Sequence, residues 1–469
     1  MEQQDTICAI ATAPGGAIGI VRVSGPQAVA AADKIFTPAA PGAPTLSRRK
    51  GGTVAFGTIA EAGGGVIDEV LVSVFRAPHS YTGEDSVEIS CHGSRYILQQ
   101  TMRQLIAAGC RAAGPGEFTR RAFQNGKMDL SQAEAVADLI AAGDRAAHRM
   151  ALSQMRGGFS AGLRELRDRL LRLTALMELE LDFSDHEELE FADRAELRAL
   201  ADGARTELGR LADSFEAGNA LKNGVPVAIV GQTNAGKSTL LNALLGEDKA
   251  IVSDIDGTTR DTIEDTAVIG GVTFRFIDTA GIRRTDDTIE SMGISRSFRA
   301  IDKARIVILL VDPQRSAESF AQFYAEVRPH LEGKQVVAAL NKCDSLSGAD
   351  GCRLPPTVEA CMAEGTRAIA LSAKYGLNID GLRSLLVSLT GADTLSATDV
   401  IVTNIRHYEA LTRAGEALAR VIDGLDTALP TDLVAQDLRE CLHHLADILG
   451  EVTTTEVLNS IFSHFCVGK

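Results

Sequence analysis

Apolar side chains recur at Leu163, Leu166, Leu170, Leu173, Met177 and Leu181. Residues three and four apart share one face of a helix, so this stripe predicts a long amphipathic helix, and the whole segment from about 125 to 219 reads the same way. A second stripe, Leu438, Leu442, Leu445 and Leu449, predicts that the last segment is helical again. Residues 1 to about 120 follow another rule. Short β-branched runs broken by glycine, Ile18-Gly-Ile-Val-Arg-Val23, Val70-Leu-Val-Ser-Val-Phe75 and Val87-Glu-Ile-Ser90, surround a helical stretch from Tyr96 to Ala108. Strands interleaved with helices predict a mixed α/β domain. Near Val225 strands return and alternate with helices to about residue 385.

Two helical segments thus flank an α/β block, and neither has enough partners for its apolar face. The economical arrangement is one helical domain, discontinuous in sequence, with the α/β domain inserted into it; two independent helical units are the alternative. The expected fold class is multidomain, α/β plus all-α. Its parts are an N-terminal α/β domain over residues 1–122, a helical domain in two parts over 123–221 and 387–469, and a doubly wound α/β domain over 222–386. Thr37-Pro-Ala-Ala-Pro-Gly-Ala-Pro44 is the one linker-like stretch.

Composition agrees and excludes several classes. The chain has 469 residues, 45% of them hydrophobic, a length that suits about three domains and a fraction that argues against intrinsic disorder. The longest aliphatic run, Ile306-Val-Ile-Leu-Leu-Val311, falls far short of the roughly 20 residues that span a bilayer. Met1-Glu-Gln-Gln-Asp5 lacks the basic and apolar regions of a secretory signal, so a cytoplasmic protein is expected. The eight cysteines form no C-x-x-C pair and read as reduced thiols rather than a disulfide framework or a zinc site. The formal net charge is -15, which disfavours nonspecific attraction to a phosphate backbone. Residues 121–223 hold 14 basic and 19 acidic side chains, and 391–469 hold 5 and 12, so the two helical segments carry most of the deficit.

The chemistry begins after the predicted strand Val225-Pro-Val-Ala-Ile-Val230. Gly231-Gln-Thr-Asn-Ala-Gly236-Lys237-Ser238 matches G-x-x-x-x-G-K-[ST] in the order strand, loop, helix. In such a loop backbone amides close around phosphates, Lys237 reaches the β- and γ-phosphates, and Ser238 offers its hydroxyl to Mg²⁺. Asn234, Ala235, Gly236 and Thr239 complete the candidate phosphate contacts. Asn341-Lys342-Cys343-Asp344 and Ser372-Ala373-Lys374 each follow a predicted strand. The carboxylate of Asp344 can accept from guanine N1–H and its exocyclic amine, groups adenine does not present on that edge, so the ligand should be GTP or GDP. Asp278-Thr279-Ala280-Gly281 follows Phe274-Arg-Phe-Ile277. Asp278 is placed to hold Mg²⁺ through water, and Gly281 to donate to the γ-phosphate and move after hydrolysis. The next residue is Ile282 where many GTPases have a water-orienting Gln, so that group must come from elsewhere. Thr259, in the loop from Ile251 to Asp261, can bind Mg²⁺ when the loop closes. Carbonyls of this turn with Asn234 could cage a monovalent cation.

Over essentially its whole length the chain resembles the MnmE (TrmE) family of tRNA-modifying GTPases. The resemblance rests on Asp5-Thr-Ile7, Gly19-Ile-Val-Arg-Val-Ser-Gly25, Tyr81-Thr-Gly-Glu-Asp85, Cys91-His-Gly93, Gly114-Pro-Gly-Glu-Phe118, Arg121-Ala-Phe123, Lys127-Met-Asp-Leu-Ser-Gln-Ala-Glu134, the GTPase motifs and Phe465-Cys-Val-Gly-Lys469. It implies an N-terminal folate-binding and dimerisation domain, a central helical domain built from both flanks, and an inserted G domain. It further implies a homodimer that works with an FAD-dependent MnmG-type partner in a heterotetramer or larger complex. Together these install an aminomethyl or carboxymethylaminomethyl group at C5 of the wobble uridine, position 34, of certain tRNAs. The one-carbon unit comes from a 5-formyl- or methylene-tetrahydrofolate, and K⁺ stimulates GTP hydrolysis. Carried over, Asn234, Ser253, Ile255 and Thr258 line the K⁺ site, Ser238 and Thr259 hold Mg²⁺, and Glu290 orients the attacking water. Arg22, Glu84, Lys127 and Lys469 contact folate. A carboxylate suits the amide-and-amine edge of a pterin, and the basic groups suit a glutamate tail. Arg120 stands where relatives often have Glu. Cys466 is a recurrent thiol of the family; taken alone it reads as a buried small apolar residue. A GTP-dependent assembly switch, as in ribosome maturation, shares the G-domain motifs and is the competing function.

Overall fold

The alternation in the first 112 residues becomes a seven-stranded sheet. Its strands are β1 (Ile7–Ile10), β2 (Ile18–Ser24), β3 (Phe36–Pro38), β4 (Thr53–Ala60), β5 (Val66–Phe75), β6 (Ser86–His92) and β7 (Arg111–Ala112), in the order β3-β4-β5-β6-β2-β1-β7. All neighbours are antiparallel except β1 and β7. The structure, a computed structural model, describes residues 5–61, 63–182, 194–246, 264–277, 298–345, 365–391, 400–463 and 465–468. It divides into two compact units, Met1–Ala137 with Gln154–Ala192 and Thr427–Lys469, and Asp138–Ser153 with Asp193–Asp426.

In the first unit, period-two alternation sorts the sheet into two faces. Cys8, Val21, Val23, Val70, Val72, Val74, Val87 and Ile89 turn toward the helices Ala28–Ile35 and Arg95–Ala107 and form the core. The other face is polar where β1, β2 and β6 meet. There the register sets Ala9 against Arg22, Arg22 against Glu88, and Ser24 against Ser86. Phe118, on the helix Glu117–Gln124, covers Ile7 and Ala9 together with Tyr81. The leucine stripe of residues 163–177 is buried along the helix Gly158–Asp182, which packs on the helix Thr431–Leu449. Leu130 and Ala133 join Phe462 and Phe465, tying the C-terminal helix Thr455–Ser463 into this unit. Thr37 and Pro38 belong to β3, so the proline-rich stretch read as a linker begins as an edge strand. Proline is tolerated at a strand end, where its missing N–H need not enter the ladder.

The second unit contains the six-stranded sheet β13-β12-β11-β8-β10-β9, built from β8 (Val225–Gly231), β9 (Asp265–Ile269), β10 (Val272–Phe276), β11 (Ile306–Val311), β12 (Gln335–Leu340) and β13 (Arg367–Ala370). All but β9 are parallel. The aliphatic run of residues 306–311 is its fully buried central strand, as expected where helices cover both faces. The helices Lys237–Leu245 and Ile379–Thr390 bury Leu240, Leu244, Leu382 and Leu386 on one side, and Ala317–Val327 buries Phe320 and Tyr324 on the other. From β8 the chain runs to β10 on one flank and β11 on the other. That reversal opens a crevice beyond the carboxyl ends of the strands, where doubly wound sheets bind ligands. The helices Arg194–Asp213 and Ile405–Asp426 pack together here. In each unit, then, a helix preceding the sheet of the second unit pairs with one following it. Among the described residues no helix is long and apolar enough to cross a membrane.

Gly57 shows how tightly β3 closes on β4. A Cβ there would lie 2.1 Å from the Thr37 carbonyl oxygen and 2.7 Å from the Phe36 ring, whereas at Gly63 nothing lies within 4 Å. Gly57→Ala is expected to cost about 1–3 kcal/mol, as overpacking does. A urea titration followed by circular dichroism should show an earlier onset of unfolding than in wild type, with Gly63→Ala close to wild type.

Candidate functional site

Backbone geometry builds the phosphate loop. Asn234 and Gly236 both adopt positive φ, +65° and +99°. Asparagine tolerates the left-handed region better than most residues, and glycine enters it without penalty. At Gly236 space also decides, because a Cβ would sit 2.3 Å from Asn341 Nδ2. The chain then turns into the helix Lys237–Leu245, which places Lys237, Ser238 and Thr239 in its first turn with their amides facing the crevice mouth. Lys237 Nζ donates to the carbonyls of Gly231 (2.8 Å) and Gln232 (2.9 Å). Burial pushes its ammonium below the ordinary lysine range, and the charge of Arg315 adds to that effect. The negative charge of an arriving phosphate would offset both influences.

The base-recognition segments are joined to this loop by one buried side chain. Asn341 follows β12; its Nδ2 donates to the carbonyl of Ala235 (2.8 Å), and its Oδ1 accepts from the amide of Ala373 (3.0 Å). Lys342 pairs with Asp312 at 2.6 Å, at the end of β11. Ser372 Oγ donates to Asp344 Oδ1 (2.5 Å), and Lys374 lies over the ring of Tyr375, 5.1 Å from its centroid. The structure therefore brings together Asn234, Ala235, Gly236, Lys237, Ser238, Thr239, Asn341, Lys342, Asp344, Ser372, Ala373 and Lys374 at one end of one sheet. Two anchors were not legible in the sequence. Gln232 Nε2 donates to Ser319 Oγ and its carbonyl, both 2.8 Å, and Arg315 Nη2 donates to the Thr233 carbonyl (3.0 Å). Both join segments some 80 residues apart and fall in no spaced motif. Ser253, Ile255, Thr258, Thr259, Asp278, Thr279, Ala280, Gly281, Ile282, Glu290 and Lys469 lie outside the described residues.

A second polar site occupies the first unit. Arg22 on β2 pairs with Glu88 (2.9 Å), donates to the Gly468 carbonyl (3.2 Å) and lies 5.5 Å and 5.7 Å from the ring centroids of Tyr81 and Phe118. Glu84 is buried. It accepts from Ser24 Oγ (2.7 Å) and from Arg121 Nη1 (3.3 and 3.4 Å). Arg121 also pairs with Asp5 (2.7 Å), whose carboxyl it holds below the usual range together with Arg111, the larger cause. Lys127 Nζ donates to the Pro78 carbonyl (3.0 Å). The C-terminal tail runs alongside. Pro115 and Val467 form a β-bridge, and Gly116 N–H donates to the Cys466 carbonyl at 3.3 Å. Arg22, Glu84 and Lys127 thus come from β2, the turn before β6 and the loop after helix Glu117–Gln124. Cys466 is exposed, not buried: its neighbours Phe465 and Phe462 fill the apolar pocket, and the bridge at Val467 leaves its side chain outside. Arg121 and Ser24, the immediate partners of Glu84, were present in the quoted motifs but carried no signal of that pairing.

Comparison with known proteins finds matches along the whole chain. A family model described as the MnmE helical domain matches residues 130–466, and one described as the GTP-binding protein TrmE N-terminus matches residues 6–127. A protein named tRNA modification GTPase MnmE from Parabacteroides distasonis is 60% identical over 465 residues, covering 99% of this chain and all of its own. One of the same name from Flavobacterium johnsoniae is 48% identical over 473 residues and covers both chains completely. Among solved structures, a GTP-binding protein from Sulfolobus solfataricus, in complex with GDP, covers 53% of this chain and 73% of its own at 18% identity and a TM-score of 0.28. On the matched domains and this full-length identity, the chain belongs to the MnmE (TrmE) family of tRNA modification GTPases.

Proposed function

We propose that this protein is a K⁺-stimulated GTPase that, with an FAD-dependent MnmG-type partner, drives tetrahydrofolate-dependent modification of C5 of the wobble uridine in certain tRNAs. It hydrolyses GTP in the course of tRNA modification. The finer reading rests on one observation: a guanine-nucleotide loop and a second polar site, the latter formed by Arg22, Glu84 and the C-terminal tail, occur in one chain. An assembly switch would need only the first.

At the nucleotide, Lys237 and the amides of residues 235–238 hold the phosphates. Asp344 reads the guanine edge, Lys342 and Lys374 flank the base, and Ser238 and Thr259 hold Mg²⁺. Ser238 stands in the first turn of its helix beside Lys237, and its hydroxyl is an oxygen donor of the kind that would hold Mg²⁺. Asn234, exposed at the tip of the loop, suits a monovalent cation together with Ser253, Ile255 and Thr258. Asp278, Thr279, Ala280 and Gly281 follow the γ-phosphate, and Glu290 positions the attacking water in place of the Gln that Ile282 replaces. In the first unit Glu84 would take the donor edge of a pterin, its oxygens already oriented by Ser24 and Arg121, while Arg22, Lys127 and Lys469 would pair with the glutamate tail. Tetrahydrofolate, when bound, supplies the one-carbon unit. Cys466 is exposed two residues before the Gly468 carbonyl that Arg22 contacts, which supports it as a candidate functional thiol of that site.

The exposed apolar row Val54 (57%), Phe56 (53%) and Leu71 (49%) on β4 and β5 supports a homodimer formed through the N-terminal sheet. In each unit a helix from before the second sheet pairs with one from after it, which supports a helical part built from both flanks of a G domain over 222–386, the flanks being 123–221 and 387–469. A cytoplasmic location suits a tRNA substrate.

Three outcomes are expected. GTP turnover, measured by phosphate release, should be faster in K⁺ than in Na⁺ at equal ionic strength. Glu290→Ala should lower it roughly 100-fold or more while leaving nucleotide affinity near wild type, since hydrolysis depends on positioning the water; equal rates in both salts would refute the cation role. Separately, nucleoside analysis of tRNA from a deletion strain should show unmodified wobble uridine, restored by this chain but not by Glu84→Ala. Unchanged wobble uridine in the deletion strain would leave the assembly switch as the better account.

A further inference from the structure

The strand β11 runs into the turn Asp312-Pro-Gln-Arg315, and this turn is held firmly. The Arg315 amide donates to the Asp312 carbonyl (3.2 Å), the Gln314 amide donates to Asp312 Oδ1 (3.0 Å), and the Asp312 carboxylate is itself paired with Lys342. The turn presents Arg315 to the phosphate loop. Three successive loop carbonyls accordingly face cations, Gly231 and Gln232 facing Lys237, and Thr233 facing Arg315. Among the described residues the Arg315 side chain is hydrogen-bonded at Nη2 alone, and it is exposed, so its remaining donors can turn to an anion.

Where Arg315 stands along the loop decides which phosphate it can favour. The helix N-terminus at residues 236–238 supplies the amides that receive the inner phosphates. Thr233 and Asn234 lie at the opposite, outer part of the loop, beyond which a terminal phosphate projects. A triphosphate carries one more negative charge than a diphosphate, and it carries that charge at this outer end. Two cations held close without an anion between them repel, and Arg315 accordingly disfavours the charged form of Lys237; an anion between them relieves the repulsion.

We propose that Arg315 is a specificity-determining residue of the nucleotide site, a cation fixed against the Thr233 carbonyl that favours GTP over GDP. It acts within the same chain and is distinct from Lys237, which serves both nucleotides.

Arg315→Gln removes the charge and shortens the side chain by two bonds, so the Thr233 contact is weakened with it; Arg315→Lys keeps the charge. Dissociation constants for GDP and for a non-hydrolysable GTP analogue, measured by fluorescence at fixed Mg²⁺ and K⁺, read the effect. Arg315→Gln should weaken the GTP analogue about three- to tenfold, the size of one screened charge contact. It should weaken GDP less than twofold, and Arg315→Lys should restore most of the difference. The gap should narrow as ionic strength rises. An equal loss for both nucleotides, or no loss for either, would overturn the proposal, the first because it marks a purely structural role in holding the loop.

Discussion

The nucleotide site depends on a single buried amide. Asn341 reaches from the end of β12 to the phosphate loop at Ala235 and to the base-recognition turn at Ala373, so the two ends of the site are held by one side chain. Both of its partners are main-chain groups, and a buried main-chain group left unpaired costs free energy comparable to a lost hydrogen bond. The contact also explains the glycine at 236: any side chain there would occupy the position of Asn341 Nδ2. The strand, the loop and the turn are therefore one constraint. Shifting any of them leaves a donor or acceptor unsatisfied in a low-dielectric setting.

Charge is distributed around that constraint in a consistent way. The chain carries a formal net charge of -15, yet the phosphate loop gathers Lys237, Arg315 and Lys342, and the second polar site gathers Arg22, Arg121 and Lys127. Most of the acidic excess lies in the two helical segments, while residues 1–120 balance 10 basic against 10 acidic side chains. An RNA partner is thus compatible with the overall charge provided it meets a local basic surface or is carried by a partner protein. In both sites the cations are oriented by carbonyls or carboxylates of this chain before any anion arrives, which lowers the ordering cost of binding.

Much of this was legible in the sequence, and the reason is physical. The phosphate loop, the buried strand at 306–311 and the leucine stripe at 163–177 are local: backbone chemistry and periodicity over a few residues specify them. Asn341 and Asp344 were legible through spacing and the preceding strand. Arg315 and Gln232 were not, because each acts on a segment far away in sequence through a single hydrogen bond that no periodicity announces. The same holds for Arg121 beneath Glu84. Cys466 misled for a related reason: cysteine is commonly buried, but here two phenylalanines nearby already fill the pocket. The proline-rich stretch after helix Ala28–Ile35 likewise hides an edge strand, since composition records the turn and not the pairing of Thr37 with Thr58.

The coupling of base and phosphate segments through Asn341 is tested most directly by calorimetric titration of GDP into Asn341→Ala. Ala235, Ala373 and Asn341 are buried even without nucleotide. In the free variant the loop and the turn can move apart and pair these main-chain groups with water, whereas a bound nucleotide holds them in place, so the penalty for two unpaired groups falls on the complex. At roughly 1–3 kcal/mol for each group, affinity should drop by about 30-fold or more, with the far-ultraviolet circular dichroism of the free protein unchanged. Wild-type affinity in a variant that remains folded would contradict the account.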